Sequence, residues 1–274
     1  MTNKPDRNLG VELVRATEAA AIKASAWIGR GDKNAADGAA VEAMRDFLNT
    51  VDFRGTVVIG EGEKDEAPML ANGEVVGNGN GPECDIAVDP VDGTSVTASG
   101  RAHAISVIAV ADKGTMYNPK DVFYMDKLIT RIEGKGVVSL DASAEENVRE
   151  LAKALKKDVS EITVAMIDRP RHVALMEAVR RAGARTRLFL DGDVAAGIHA
   201  VTGGGNIDML LGIGGAPEGA ISACATQALN GYMQGRIAPQ SPEELKRATA
   251  AGHDLSKIFE INDLVASDNT YFVA

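Results

Sequence analysis

The sequence predicts a layered α/β fold (α+β), and three observations support this prediction. Hydrophobic residues make up 45% of the 274 residues, enough to bury a sizeable core in one large domain or two closely packed ones. The first half combines two amphipathic helices with short β-like runs. The second half alternates helices and strands, which is typical of α/β units whose ligands gather at the carboxyl ends of the strands.

The first half begins with two predicted helices. Apolar residues recur at helical spacing over residues 9–27, and Asn8 is a candidate N-cap. The glycine-containing segment 29–34 ends this helix, and a second helix is predicted over residues 36–48, with Asp37 at its start. Short strands are predicted at residues 55–60, 85–88 and 104–110, joined by loops rich in Gly, Asn and Glu.

The second half shows the more regular alternation. Helices are predicted over residues 144–156, 172–182 and 193–201, after Pro217, and over residues 242–251. Strands are predicted over residues 162–167, 187–190 and 207–211, and a further apolar segment covers residues 231–238. We place the boundary between the halves at 138–139, which gives domains of residues 1–138 and 139–274.

Composition excludes several classes of protein. The net charge of −10 and pI near 5.0 argue against a nucleic-acid or anionic-membrane partner, since both need a basic surface. Only Cys84 and Cys224 occur, so a disulfide framework is not expected and a reducing compartment fits. The start of the chain has no secretory apolar region, and no apolar run approaches the roughly 20 residues of a membrane span. These features predict a cytoplasmic protein.

The stretch from Asp89 to Thr94 is the strongest candidate for a functional motif. An apolar run leads into Asp89, Pro90 suits a turn, Asp92 follows, and Gly93 allows a conformation that most residues avoid. Mg²⁺ and Mn²⁺ prefer oxygen ligands from a few carboxylates together with substrate phosphate. The sequence therefore predicts a strand that delivers carboxylates into a metal-binding turn, the ordinary alternative being an Asx-rich turn between a strand and a helix.

Two other segments place carboxylates where they could join this motif. Glu61 follows the predicted strand 55–60, as Asp89 follows its own strand, although such a loop alone is often only solvated charge. Glu218 follows a glycine-rich turn and Pro217, so it is either a favourable charge in a helix's first turn or a metal ligand beside an anion-binding turn. Asp37 has the same ambiguity.

Positive charge is concentrated where a phosphate could bind. Arg169 and Arg171 flank Pro170 directly after the predicted strand 162–167, and guanidinium groups suit bidentate contacts with phosphate. The segment 191–193 follows another strand with two carboxylates that could bind sugar hydroxyls, or Asp193 could simply cap the next helix. The four histidines occur singly and are expected to be structural.

Taken in order, these blocks resemble the class II fructose-1,6-bisphosphatases, within the lithium-sensitive, metal-dependent sugar phosphatase superfamily. The resemblance covers nearly the whole chain and is carried by residues 29–34, 37–40, 60–63, 65–69, 89–94, 169–172, 191–193 and 214–219. It implies the sugar-phosphatase fold, an α-β-α-β-α sandwich, with residues 1–138 as a metal-binding half and residues 139–274 as a substrate-binding half. It also implies a homo-oligomer, a dimer or tetramer.

The resemblance further implies the site and its chemistry. The metal ligands for Mg²⁺ or Mn²⁺ would be Asp37, Glu61, Asp89, Asp92 and Glu218. Contacts with the sugar bisphosphate would come from Asp92, Gly93, Thr94, Tyr124, Arg169, Pro170, Arg171, Asp191, Gly192, Asp193 and Gly215, with Lys33 at the edge of the site. The expected reaction is hydrolysis of the 1-phosphate of fructose 1,6-bisphosphate, as in gluconeogenesis or Calvin-type metabolism. Thr94 with Glu61 or Asp37 would orient the attacking water and take its proton.

The sequence departs from the family pattern in three places, and other functions remain open. Some relatives carry Glu at the position of Asp92 and Lys at that of Arg169, and the family usually continues beyond Ala274. The alternatives are sedoheptulose-1,7-bisphosphatase as an additional or main activity, an inositol monophosphatase-like or nucleotide 3′-phosphatase, and a catalytically silent metabolite-binding module. The Arg169 and Arg171 pair favours a bisphosphate substrate over a monophosphate.

Overall fold

The chain divides into two compact units in a computed structural model that describes residues 8–60, 70–120 and 122–274. The first unit runs through Met116 and takes in Ser267–Ala274, and the second unit is Tyr117–Ala266. The predicted boundary at 138–139 therefore lies inside the second unit. The strand Tyr124–Arg131, which the sequence pattern does not predict, belongs to the second unit and accounts for the difference.

The first unit combines two long helices with a mixed sheet. Its elements are α1 (Leu9–Ser25), α2 (Lys33–Leu48), β1 (Arg54–Ile59), β2 (Val75–Val76), β3 (Glu83–Asp92), α3 (Thr94–Ala98), β4 (Ile105–Asp112) and β11 (Tyr271–Val273). Among the described residues, the strand order is β11-β4-β3-β1-β2, with β1 and β3 parallel and β4 antiparallel to β3. Helices α1 and α2 cover the sheet over a core that includes Leu13, Met44, Phe53, Ile86 and Ile108.

The helix starts follow local capping chemistry. Asn8 caps α1 as predicted, because its side chain accepts a hydrogen bond from the Val11 N–H at 3.3 Å. Helix α2 begins at Lys33, earlier than predicted, because Asp32 caps it by accepting from the Ala35 N–H at 2.9 Å. The prediction that Asp37 opens this helix is therefore wrong, since Asp37 lies in the second turn.

The second unit carries the alternation of helices and strands that the sequence predicts. Its strands are β5 (Tyr124–Arg131), β6 (Thr163–Ile167), β7 (Arg185–Phe189), β8 (Met209–Gly215), β9 (Gly231–Ile237) and β10 (Phe259–Glu260). Its helices are α4 (Ala144–Leu155), α5 (Val173–Arg181), α6 (Val194–Thr202), α7 (Ala216–Ala228), α8 (Pro242–Ala250) and α9 (Ile261–Leu264). The helices and mixed sheets of the two units confirm the layered α/β class.

The sheet of the second unit creates an edge rich in functional groups. In the described part of the chain its strand order is β10-β9-β5-β8-β6-β7. Strands β6, β7 and β8 are parallel, and β5 is antiparallel to β8 and β9. The carboxyl ends of β6, β7 and β8 therefore lie at the same end of the sheet as the start of β5, and we call this end of the sheet its functional edge.

No helix among the described residues is both long and apolar enough to cross a bilayer.

Candidate active site

The motif of the first unit is built on a β-bulge. Strand β3 continues through Asp92 instead of ending at Asp89, so the predicted turn at residues 89–92 is wrong in detail. Asp89 pairs with Val107 and Asp92 with Ile105, so three steps on β3 match two steps on β4. Side chains alternate along a strand, and residues 105 and 107 share a face. The extra residue therefore brings the Asp89 and Asp92 carboxylates to the same face of the sheet.

Local hydrogen bonds hold this bulge. The Asp89 Oδ1 atom accepts from the Val91 N–H at 3.0 Å, across Pro90, which has no N–H to give to the ladder. Gly93 then adopts φ 103°, a conformation that other residues rarely take, and α3 begins at Thr94. The Thr94 hydroxyl group thus sits at a helix start directly after the two carboxylates.

The segment that precedes α2 is attached to this motif. The Gly29 N–H donates to the Thr97 carbonyl at 3.0 Å, and the Gly31 N–H donates to the Ala98 carbonyl at 2.8 Å. The Lys33 ammonium group donates to the Ser95 hydroxyl at 2.7 Å. Lys33 is therefore next to the Asp89–Thr94 motif.

The predicted metal ligands are only partly described. Asp37 lies on α2, which packs against both α3 and β3. Glu61 falls within residues 61–69, which lie outside the described part of the chain, and Glu218 lies in the second unit. Across residues 8–60, 70–120 and 122–274, no three His, Cys, Asp or Glu side chains are grouped closely enough to hold a metal ion. The metal-ligand set therefore stays a prediction.

The two predicted phosphate-binding arginines lie at the functional edge of the second unit. Arg171 donates through Nε and Nη2 to the Ile213 carbonyl at 3.3 and 2.8 Å, and its guanidinium carbon lies 5.2 Å from the centre of the Tyr124 ring. Arg169 approaches Asp191 at 3.6 Å and donates to the Asp168 carbonyl at 3.0 Å. The structure thus brings Tyr124 together with Arg171, and Arg169 together with Asp191.

Asp193 and Glu218 meet around a lysine that the sequence analysis missed. Asp193 occupies the N-cap position of α6, but its side chain makes no capping hydrogen bond. It pairs instead with Lys127 of β5 at 2.5 Å, so the capping alternative for Asp193 is wrong. Glu218 lies in the first turn of α7, and burial raises the pKa of its carboxyl group, opposed by the nearby Lys127 charge. The sequence signal that could have identified Lys127 is its place among the apolar residues of a strand.

Glu244 is a second residue that the sequence analysis missed. Its carboxylate, 2% exposed, accepts from the N–H groups of Phe123 at 2.9 Å and Tyr124 at 3.1 Å, and from Gln240 at 2.8 Å. These bonds fix the start of β5 and so the backbone of Tyr124. No local sequence pattern indicates this role, because Glu244 looks like an ordinary first-turn charge of α8.

His172 is structural, in agreement with the sequence analysis. The Ile213 N–H donates to His172 Nε2 at 2.8 Å, so Nδ1 carries the proton and donates to the Ile167 carbonyl at 2.7 Å. The ring therefore links the ends of β6 and β8 in its neutral form. Burial lowers the pKa of His172.

The link that neutral His172 makes between β6 and β8 predicts a loss of stability in acid. Because the pKa of His172 is lowered in the folded state, the unfolded chain binds the proton first as the pH falls. The stabilisation by neutral His172 is therefore complete above the ordinary histidine pKa. It is lost as the pH falls through the pKa of the folded state. We expect the free energy of unfolding, measured with urea, to fall between pH 7.5 and pH 5.5, and His172→Gln to flatten that fall. His199→Gln, on an exposed side chain, is the control. An unchanged slope in His172→Gln would contradict the assignment.

Comparison with known proteins supports the family resemblance. The family model described as "Bacterial fructose-1,6-bisphosphatase, glpX-encoded" matches residues 7–274. Fructose-1,6-bisphosphatase 1 class 2 of Escherichia coli strain K12 is 46% identical over 281 aligned residues, covering 98% of this chain and 83% of that relative. Class 2 fructose-1,6-bisphosphatases of Escherichia coli O6:H1 and Shigella flexneri match with the same identity and coverage. The chain belongs to the class II family of bacterial fructose-1,6-bisphosphatases.

Proposed function

We propose that this chain hydrolyses the 1-phosphate of fructose 1,6-bisphosphate to give fructose 6-phosphate and phosphate, as a cytoplasmic enzyme of gluconeogenesis. The observation that carries the proposal is the bulge of β3, which presents Asp89 and Asp92 on one face directly before Thr94. Membership of the class II family supplies the substrate class, a sugar bisphosphate.

The donor set suits Mg²⁺ or Mn²⁺. The proposed ligands, Asp37, Glu61, Asp89, Asp92 and Glu218, offer only carboxylate oxygens, which hard divalent cations prefer. Glu218 Oε2 is buried and has no hydrogen-bond partner among the described residues, as expected of an atom that a cation would satisfy. When bound, the metal would lower the pKa of a water molecule and neutralise charge on the transferred phosphoryl group.

The protein's own groups would position the reactants. In the proposed mechanism the Thr94 hydroxyl group orients the attacking water, and Glu61 or Asp37 accepts its proton. The position of Thr94 at the start of α3, after Gly93, supports this role because the backbone there is held by the Thr97 hydroxyl donating to the Gly93 carbonyl at 3.1 Å. No covalent phosphoenzyme is required.

The second unit would bind the rest of the substrate. We propose that Arg169 and Arg171 hold the 6-phosphate and that Asp191 and Asp193 accept hydrogen bonds from sugar hydroxyls. The other proposed substrate contacts of the second unit are Tyr124, Gly192 and Gly215, and Pro170 would stiffen the arginine pair. The first unit's proposed contacts include Gly93 and Lys33. The carbonyl of Ile213 and the ring of Tyr124 hold the Arg171 guanidinium in place, which supports a fixed phosphate contact.

Arg171→Met is expected to raise the KM for fructose 1,6-bisphosphate about 10- to 100-fold, the usual value of a lost charge-assisted hydrogen bond. The kcat should change less, because the 6-phosphate does not react. Steady-state phosphate release measures both constants. Arg180→Met is the control, since Arg180 lies on α5 and bonds only to Thr186 among the described partners. An unchanged KM would remove Arg171 from the phosphate site.

A substrate panel tests the function itself. Phosphate release should be compared for fructose 1,6-bisphosphate, sedoheptulose 1,7-bisphosphate, inositol 1-phosphate and adenosine 3′,5′-bisphosphate, each with Mg²⁺, Mn²⁺ or a chelator. We expect fructose 1,6-bisphosphate to be a preferred, metal-dependent substrate. Preference for inositol 1-phosphate or the nucleotide would contradict the proposal. Calorimetric binding without turnover would instead indicate a silent metabolite-binding module.

We also propose that the chain forms a homo-oligomer, a dimer or tetramer. Light scattering during size-exclusion chromatography would give its mass in solution directly.

A further inference from the structure

Lys127 is a fully buried charge at the centre of the second unit. It lies on β5 between Met125 and Ile129, on the face that α6 and α7 cover, and its side chain is 0% exposed. A buried ammonium group is costly unless it is paired and hydrogen-bonded. Its partners therefore identify its role.

Both partners belong to the proposed substrate-binding edge. The Lys127 ammonium contacts Asp193 Oδ2 at 2.5 Å and donates to the Gly215 carbonyl at 2.9 Å. Asp193 is 4% exposed and gives up the capping bond that its position at the start of α6 would favour. Lys127 thus joins the loop after β7 to the end of β8.

Two glycines make room for this arrangement. A Cβ atom on Gly214 would lie 1.8 Å from Asp193 Oδ2, and one on Gly215 would lie 1.6 Å from Glu218 Oε2. The carboxylates therefore lie directly against the backbone at the end of β8. Asp193 Oδ1, the oxygen that Lys127 does not contact, is buried and has no hydrogen-bond partner within the described residues.

Stability alone does not explain this buried pair. Replacing a buried ion pair with apolar residues of similar volume is often neutral or stabilising, because desolvation offsets the Coulomb attraction. An unsatisfied carboxylate oxygen adds a further cost. Hydrogen bonding of Asp193 Oδ1 to a ligand hydroxyl would explain why the protein retains this arrangement.

We propose that Lys127 is a positioning residue that holds Asp193 and the Gly215 carbonyl so that Asp193 Oδ1 accepts a hydrogen bond from a sugar hydroxyl. This inference rests on the proposed function, since it assigns Asp193 to the sugar. Lys127 itself touches neither the substrate nor the reacting atoms. It acts through Asp193, so the two residues should be coupled in binding.

A double-mutant cycle tests this coupling without using catalysis. Binding of the product fructose 6-phosphate is measured by calorimetry in chelator for the unmodified protein, Lys127→Met, Asp193→Asn and the double variant. Each single variant is expected to weaken binding about tenfold, the scale of one charge-assisted hydrogen bond. The double variant should bind within about twofold of Asp193→Asn, because coupled residues are not additive. Lys153→Met, in an exposed surface pair with Glu150, is the control.

The outcomes separate a positioning role from a structural one. A merely structural Lys127 would lower the melting temperature and leave the Kd of the folded protein unchanged, which overturns the inference. The inference would also be overturned if the loss of affinity in the double variant equalled the product of the two single losses. If Lys127→Met does not fold, Lys127→Gln, which keeps a hydrogen-bond donor, takes its place with the same expectation. Absence of fructose 1,6-bisphosphate turnover by the unmodified protein would instead reject the proposed function.

Discussion

Asp89→Asn is expected to abolish metal-dependent phosphate release, lowering kcat/KM about a thousandfold, the scale on which removing a key electrostatic group acts. The amide removes the negative charge that a divalent cation requires. It keeps an oxygen that can still accept from the Val91 N–H, which Asp89 does at 3.0 Å. The bulge should therefore survive, and the melting temperature should change little.

Asp85→Asn on the same strand is the matched control. Asp85 accepts from the N–H groups of Gly114 and Met116 at 2.7 and 3.2 Å and pairs with Lys113 at 3.2 Å. We expect this variant to lose stability while the folded protein keeps its kcat. Both substitutions replace a carboxylate with an amide on β3. We expect Asp89→Asn to lose activity and keep stability, and Asp85→Asn to do the reverse. Retained turnover in Asp89→Asn would remove Asp89 from the site.

Gly215→Ala should be the second most damaging change, lowering kcat/KM about a hundredfold through a misplaced carboxylate. The new methyl group would overlap Glu218 Oε2, which lies 1.6 Å from its position, so either the start of α7 or the Glu218 side chain must move. Activity and thermal unfolding should be measured together, because the overlap also costs stability.

Gly235→Ala provides the comparison for this substitution. Gly235 lies on β9 in the same sheet, and its added methyl group would meet Met125 Sδ at 2.6 Å. A methionine side chain can move aside, since it is flexible. We expect a modest loss of stability with activity retained. Equal loss of activity in the two variants would mean that Gly215 has no special relation to Glu218.

Periodicity and turn chemistry were sufficient to predict most of the fold. The helix predicted over residues 9–27 follows from apolar residues that repeat at helical spacing and from Asn8 as its cap. Strand β5 was missed because Asp126 and Lys127 interrupt its apolar pattern. The partners of Lys127, which are Asp193 and the Gly215 carbonyl, are distant in the chain, and a local pattern does not contain them.

The positions of the candidate residues were predictable where they depend on strand ends and not where they depend on pairs distant in sequence. Arg169 follows β6 and Asp191 follows β7, as the sequence predicts, whereas Asp89 lies inside β3 at the bulge. The bulge itself was not predictable, because it depends on register with β4. The Lys127–Asp193 pair and the N–H bonds of Phe123 and Tyr124 to Glu244 join residues far apart in sequence, so no local pattern predicts them.

The most direct test of the proposed reaction is phosphorus NMR of fructose 1,6-bisphosphate incubated with the protein and Mn²⁺. The proposed reaction predicts that the 1-phosphate signal disappears while inorganic phosphate and fructose 6-phosphate appear together, and that chelator stops the change. Accumulation of fructose 1-phosphate, or release that continues in chelator, would contradict it.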